Sequence, residues 1–167
     1  MEIIKAIPSD LVEIMYLLRV CVKDMNEKGM KHWNNVFPEG SLMKKNLNNG
    51  LIYLVKEKGV CKAMMTLNAE MPEDYKSISL PDKTGKTLFI QWLAVHPKWQ
   101  QKGISKMLLD YAENFALDNG FQSIMLDVFS NHEMAHQICE KNDYHQIGTF
   151  HFSLQKAPFV CYGKELK

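Results

Sequence analysis

The stretch that most constrains this chain is Leu88–Leu109, LFIQWLAVHPKWQQKGISKMLL. An apolar run rich in β-forming residues predicts a buried strand over Thr87–Val95. Pro97 cannot extend a sheet, so the chain must turn there. Ile104, Leu108, Tyr111, Ala112 and Phe115 then recur at helical spacing, which predicts a helix over 104–118 ended by Asn119-Gly120. A buried strand feeding a tight turn and then an amphipathic helix points to an α/β domain.

The turn itself, Gln100-Gln101-Lys102-Gly103-Ile104-Ser105, has a chemistry of its own. The first turn of a helix presents N–H groups without intrahelical partners and the positive end of the macrodipole, a combination that binds phosphate. Gly103 lets the backbone approach an anion closely, Ser105 is small and can donate a hydrogen bond, and Lys102 can pair with a phosphate. The same residues also spell a lysine- and glutamine-rich turn before an ordinary helix.

Around this segment the pattern fills out a single domain, 1–167. Residues 2–6 predict a short strand. Ser9, after Pro8, stands at an N-cap position for a helix over 10–25, whose apolar face is Leu11, Ile14, Met15, Leu18 and Val22. The stretch His32–Asn35 reads as a loop, and Ser41 as the cap of a short helix stopping at Gly50. Leu51–Val55 and Val60–Leu67 form a strand pair turned at Lys58-Gly59. Residues 69–86, with Pro72, Pro81 and Gly85, are irregular, the kind of segment that carries substrate contacts. Ser123–Phe129 is a strand, 132–141 a helix, and Tyr144–Leu154 and Phe159–Tyr162 closing strands. The order β-α-α-β-β-β-α-β-α-β-β implies a mixed sheet.

Composition excludes some partners. Twenty Lys and Arg against nineteen Asp and Glu leave a net charge of +1, without the basic footprint of a nucleic-acid or membrane-surface protein. Cys21, Cys61, Cys139 and Cys161 are widely spaced, with no CxxC pair and no zinc-ligand spacing, so they read as reduced thiols and no metal is expected. Met1–Lys5 shows no basic start followed by an apolar h-region, and no apolar run approaches a membrane span; the expectation is a cytoplasmic protein, with a homodimer allowed.

The run at 88–109 resembles motif A of the GNAT acyltransferases, whose pattern is Gln/Arg-x-x-Gly-x-Gly/Ala. Gln100 and Gly103 match, and Ser105 departs from the usual Gly or Ala. Leu93-Ala94-Val95-His96-Pro97 is typical of the family. Asn131, Ala135 and Cys139-Glu140-Lys141 resemble its Asn-x-x-Ala…Tyr-Glu-Lys-Leu-Gly-Phe segment, with Cys139 where many members have tyrosine and Asn142-Asp143-Tyr144 where Leu-Gly-Phe is common. The resemblance implies a GNAT-type fold, a mixed, mostly antiparallel central sheet flanked by helices, and acetyl-CoA as co-substrate. It implies that the Leu93-Ala94-Val95 backbone pairs with the pantetheine arm like an added strand. By the same resemblance, amides of Gln101, Lys102, Gly103, Ile104 and Ser105, next to Gln100, hold the pyrophosphate, and Asn131 contacts the pantetheine.

On this reading the chain moves an acetyl group to the amine of a small molecule or peptide by direct attack. The alternatives are a catalytically weak acyl-CoA-binding module acting as a sensor or partner, and a nucleotide-binding protein. The missing Walker-type Gly-Lys-Ser/Thr and Gly-x-Gly-x-x-Gly patterns count against the last. The general base is left among Glu70, Glu73 and Asp74, Gln91 through a water, and His96. The tyrosine's place as acid falls to Cys139, a weaker donor than a phenol, with Tyr144 more suited to the core. Trp33, in the loop between the first two helices, is the aromatic residue assigned to the acceptor.

Overall fold

The computed structural model describes residues 1–31, 33, 39–151 and 157–167. Its elements are β1 (Glu2–Lys5), α1 (Leu11–Glu27), α2 (Gly40–Asn48), β2 (Ile52–Glu57), β3 (Val60–Asn68), β4 (Thr87–Val95), α3 (Ile104–Asp118), β5 (Ser123–Phe129), α4 (Glu133–Lys141), β6 (His145–Phe150) and β7 (Phe159–Glu165), with three-residue 3-10 turns at Pro8–Asp10, Glu73–Tyr75 and Pro97–Trp99. The strand order is β1-β2-β3-β4-β5-β7-β6, the mixed, mostly antiparallel sheet that the sequence implies, with β4 and β5 parallel. The chain packs as two compact units, Met1–Leu67 with Trp92–Leu108, and Asn68–Gln91 with Leu109–Lys167.

In the first unit, α1 buries Ile14, Leu17, Leu18, Cys21 and Met25. That stripe is displaced from the predicted face, since Leu11, Met15 and Val22 lie only partly buried at its margin. It packs on Met43 and Leu47 of α2, Ile52 and Leu54 of β2, and Cys61 and Met64 of β3. Each such side chain is worth about 1.5–3 kcal/mol when fully buried. Ser9 is not the cap of α1. Pro8 starts a 3-10 turn, and it is the Asp10 carboxylate that accepts the Ile7 N–H at 2.8 Å. Lys56 Nζ bridges Asp10 and Glu13 at 2.8 and 2.7 Å, and Glu13 also accepts the Cys61 N–H, so the start of α1 is tied to both β2 and β3. Ser41 is likewise inside its helix: α2 begins at Gly40, with Glu39 as N-cap.

The second unit is built on β5 and β7, which pair without interruption from Ser123↔Glu165 to Phe129↔Phe159. Tyr75, Ile78, Phe89, Met125, Phe129, Phe150, Phe159 and Cys161 form its core. The irregular segment 69–86 therefore contributes packing residues, Tyr75 above all at 1% exposure. Strand β6 ends at Phe150, short of the predicted Leu154, and the remainder, 152–156, lies outside the described residues. Asp82 pins the start of the parallel pair. It accepts from the Ser123 and Thr84 hydroxyls, from the Thr84 N–H at 2.8 Å and from Thr87 Oγ1 at 3.1 Å, and Thr87 faces Ser123 in the register.

Burial alone would raise the Asp82 carboxyl, but the bonds from Ser123, Thr84 and Thr87 outweigh it and hold the group down at about 2. A depressed acid stabilises the fold fully above its ordinary range near 3.8 and loses that contribution as the pH falls to about 2. Asp82→Ala is therefore expected to lower the melting temperature at pH 7 by about 2–6 °C. Melting curves taken at decreasing pH should show the gap to wild type closing towards pH 2.

Candidate active site

The predicted turn between β4 and α3 is present. After β4, His96 caps the Pro97–Trp99 turn by accepting the Lys98 N–H on Nδ1 at 3.2 Å. Burial, helped by Lys98, lowers the pKa of this histidine. The Nδ1 atom of this histidine is thus occupied in a structural cap. Gln101 adopts φ 59° and Gly103 φ 79°, two left-handed residues that swing the backbone into α3. The Gly103 carbonyl accepts the Met107 N–H at 3.0 Å, the opening bond of that helix. A Cβ built on Gly103 would meet nothing within 4 Å, so open space lies beside the backbone at the helix N-terminus. That space and those N–H groups fit a phosphate or pyrophosphate. The Lys102 ammonium, in the same turn, rests over the Trp99 ring, 4.6 Å from its centroid.

Gln100 acts differently from its neighbours. Its Nε2 donates to the Val95 carbonyl at 3.1 Å, and Cys21 Sγ donates to the same oxygen at 3.4 Å. A pantetheine amide reaching for that carbonyl would share it with Gln100. Upstream, β4 and β5 pair from Thr87↔Ser123 to Phe89↔Met125, and β5 runs on through Leu126–Phe129 paired with β7. Three residues beyond Phe89, Trp92 takes φ 51°. A left-handed conformation is costly for a bulky residue inside a strand, and such strain clusters at functional sites. Leu93, Ala94 and Val95 come directly after it. Trp33 packs edge-on against Trp92, with centroids 5.7 Å apart and planes at 69°. Its neighbours 32 and 34–38 lie outside the described residues.

The remaining predicted residues belong to the second unit. Asn131 is exposed in the turn before α4. Cys139 is 2% exposed, and burial, with Glu140 and Asp127, pushes its thiol up to about 12. Such a thiol is a weaker acid than an ordinary cysteine, and its burial matches a small core residue. Tyr144 is buried as expected. Glu70 and Asp74 are exposed, and Glu73 is 84% exposed with Lys76 at 2.5 Å, so these three loop carboxylates face solvent. Among the described residues no cluster of His, Cys, Asp or Glu could hold a metal.

One group escaped the sequence reading. Asp127, in the middle of β5, accepts a hydrogen bond on Oδ1 from the buried Tyr75 hydroxyl. Burial pushes this carboxyl up to about 6; the Tyr75 bond pulls the other way, and Asp74 adds to the rise. The available signal was an aspartate inside the otherwise apolar run Ile124–Phe129, where strands disfavour it.

Residues 17–144 match the model of the acetyltransferase (GNAT) family. The chain belongs to that family. Its members carry out acetyl-CoA-dependent acetyl transfer, and this chain is an acyltransferase of that kind. No curated protein sequence matches it. Its fold is similar to that of a GNAT-family acetyltransferase from Streptococcus agalactiae 2603, at 17% identity and TM-score 0.82, covering 99% of this chain and 95% of that one. It is similar to the PaiA N-acetyltransferase of Thermoplasma acidophilum in complex with coenzyme A, at 16% identity and TM-score 0.73, covering 98% of each chain. It is also similar to the ribosomal-protein-S18-alanine N-acetyltransferase of Escherichia coli, at 12% identity and TM-score 0.73, covering 99% and 94%.

Gly103→Val should weaken acetyl-CoA binding at least about tenfold, because the branched side chain fills the space at the helix N-terminus. Strain at φ 79° will also lower stability, so Gly120→Val is the control: Gly120 has φ 77° and equally open surroundings at the other end of α3. Calorimetric titration should show binding lost in the first variant and kept in the second.

Proposed function

We propose that this GNAT acetyltransferase transfers the acetyl group of acetyl-CoA to a primary amine of a small molecule or peptide by direct attack on the thioester. The observation that carries the cofactor half of this reading is the Gln100–Ser105 turn, with its two left-handed residues and the open space at Gly103. Backbone N–H groups at the start of α3 would hold the pyrophosphate, and the backbone of Leu93–Val95 after the left-handed Trp92 would take the pantetheine. Amine acetylation then needs a proton acceptor for the incoming ammonium and a donor for the tetrahedral oxyanion, which a strand N–H supplies. CoA leaves as a thiolate, so a strong acid is helpful and not obligatory.

Burial of Cys139 favours a second reading, a weak or inactive acyl-CoA-binding module, since the position typical of the family's tyrosine holds a shielded thiol. A library of amines with acetyl-CoA, read by thiol release, separates the two: turnover with any primary amine supports transfer, and binding without turnover supports the module. In the active protein, Cys139→Ala is expected to lose about tenfold or less, below the 10²–10⁴ range of general acid catalysis. A loss above about a hundredfold with acetyl-CoA binding intact would make the thiol essential.

A further inference from the structure

Trp99 carries two lysines. Its half-buried ring has Lys62 Nζ 3.6 Å and Lys102 Nζ 4.6 Å from its centroid. All three residues belong to the unit formed by Met1–Leu67 and Trp92–Leu108, as does the whole Gln100–Ser105 turn. An ammonium over an indole face is attracted by the ring, but two ammonium groups at one ring repel each other. The pair therefore needs something to offset that repulsion.

Lys62 is the fixed member. It is 2% exposed, and the Glu57 carboxylate pairs with its ammonium, which offsets the like charge of the second lysine. The Lys62 carbonyl accepts the His96 N–H at 2.9 Å, and the His96 carbonyl accepts the Trp99 N–H at 2.8 Å. Trp99 is thus tied to β3 twice, through its backbone by way of His96 and through its ring on Lys62. Lys102 is the exposed member, and among the described residues no carboxylate pairs with its ammonium. The Trp99 ring holds it while its charge stays available to an anion.

Lys102 stands between Gln101 and Gly103, the two left-handed residues of the turn. A lysine that reaches for a phosphate gives up rotamer freedom. Resting on Trp99, Lys102 has lost part of that freedom before any ligand arrives, and such preorganisation raises affinity. From this geometry we propose that Trp99, seated on the buried Lys62, is a positioning residue for the cofactor. It presets the Lys102 ammonium to pair with the pyrophosphate of acetyl-CoA, which adds a charge-assisted bond to those of the backbone N–H groups. Trp99 acts through Lys102 and does not itself touch the ligand. The proposal rests on the acetyl-CoA reading above.

Calorimetric titration with acetyl-CoA tests it on four variants. Lys102→Met should weaken binding about three- to tenfold. Trp99→Leu should weaken it about two- to fivefold, and Trp99→Phe, which keeps an aromatic face for the ammonium, should recover most of that loss. The double variant combining Trp99→Leu with Lys102→Met should bind within about twofold of Lys102→Met alone, since Trp99 then has no ammonium to position. Loss of packing alone would give neither the rescue by Phe nor the shared effect. Should Trp99→Leu fail to fold, the Lys102 ε-methylene protons of the wild type decide by NMR. The indole ring should hold them upfield of ordinary lysine values, and acetyl-CoA should move them. Ordinary values, or a position that acetyl-CoA leaves unmoved, overturn the proposal. So does a Lys102→Met or Trp99→Leu variant that binds like wild type, a Phe variant no better than Leu, or a double variant in which the two losses multiply. A wild type that binds no acetyl-CoA overturns the cofactor reading, and this proposal with it.

Discussion

Strand β4 is the constraint on which the site depends. Its first residues are held in register with β5, Thr87 against Ser123 under the Asp82 carboxylate, and that pairing ends at Phe89↔Met125. Trp92 then takes a left-handed backbone conformation that a tryptophan adopts only when its surroundings enforce it. Here Trp33 packs against its ring, and Ala94 is buried in the core built on α1, β2 and β3. Hydrophobic packing at Trp92 and just after it therefore offsets its strain. Leu93–Val95, the His96 cap and the Gln100–Ser105 turn follow Trp92 in the chain.

Much of this was legible in the sequence because it is local. The apolar run of Thr87–Val95, the stop at Pro97, the helical spacing from Ile104 and the Asn119-Gly120 end each rest on neighbours within one or two turns, and the structure reproduces them. The element order was legible for the same reason. The cap assignments at Ser9 and Ser41 failed because a cap depends on where a helix begins to within one residue. Pro8 inserted a 3-10 turn in one case and Gly40 started the helix early in the other.

What the structure does with the acidic residues was not legible for a different reason. The acidic residues of 69–86 drew attention because the segment looks like a substrate loop, yet Glu70 and Glu73 are solvated. The loop's structural contribution is a tyrosine, which meets an aspartate 52 residues away in sequence. No spacing rule links two such positions; only the packing of the loop on β5 does. Cys139 shows the converse. The family pattern pointed to it as the tyrosine's position, but burial gives that position a packing character that its place in the motif does not convey.

The central claim is that the turn after β4 binds the pyrophosphate of acetyl-CoA through backbone amides, with no metal between. Isothermal titration of acetyl-CoA into the wild-type protein, with and without EDTA, tests it most directly. The account predicts one molecule bound per chain with the same affinity in both buffers. Absence of binding in either buffer, or binding abolished by the chelator, would contradict it.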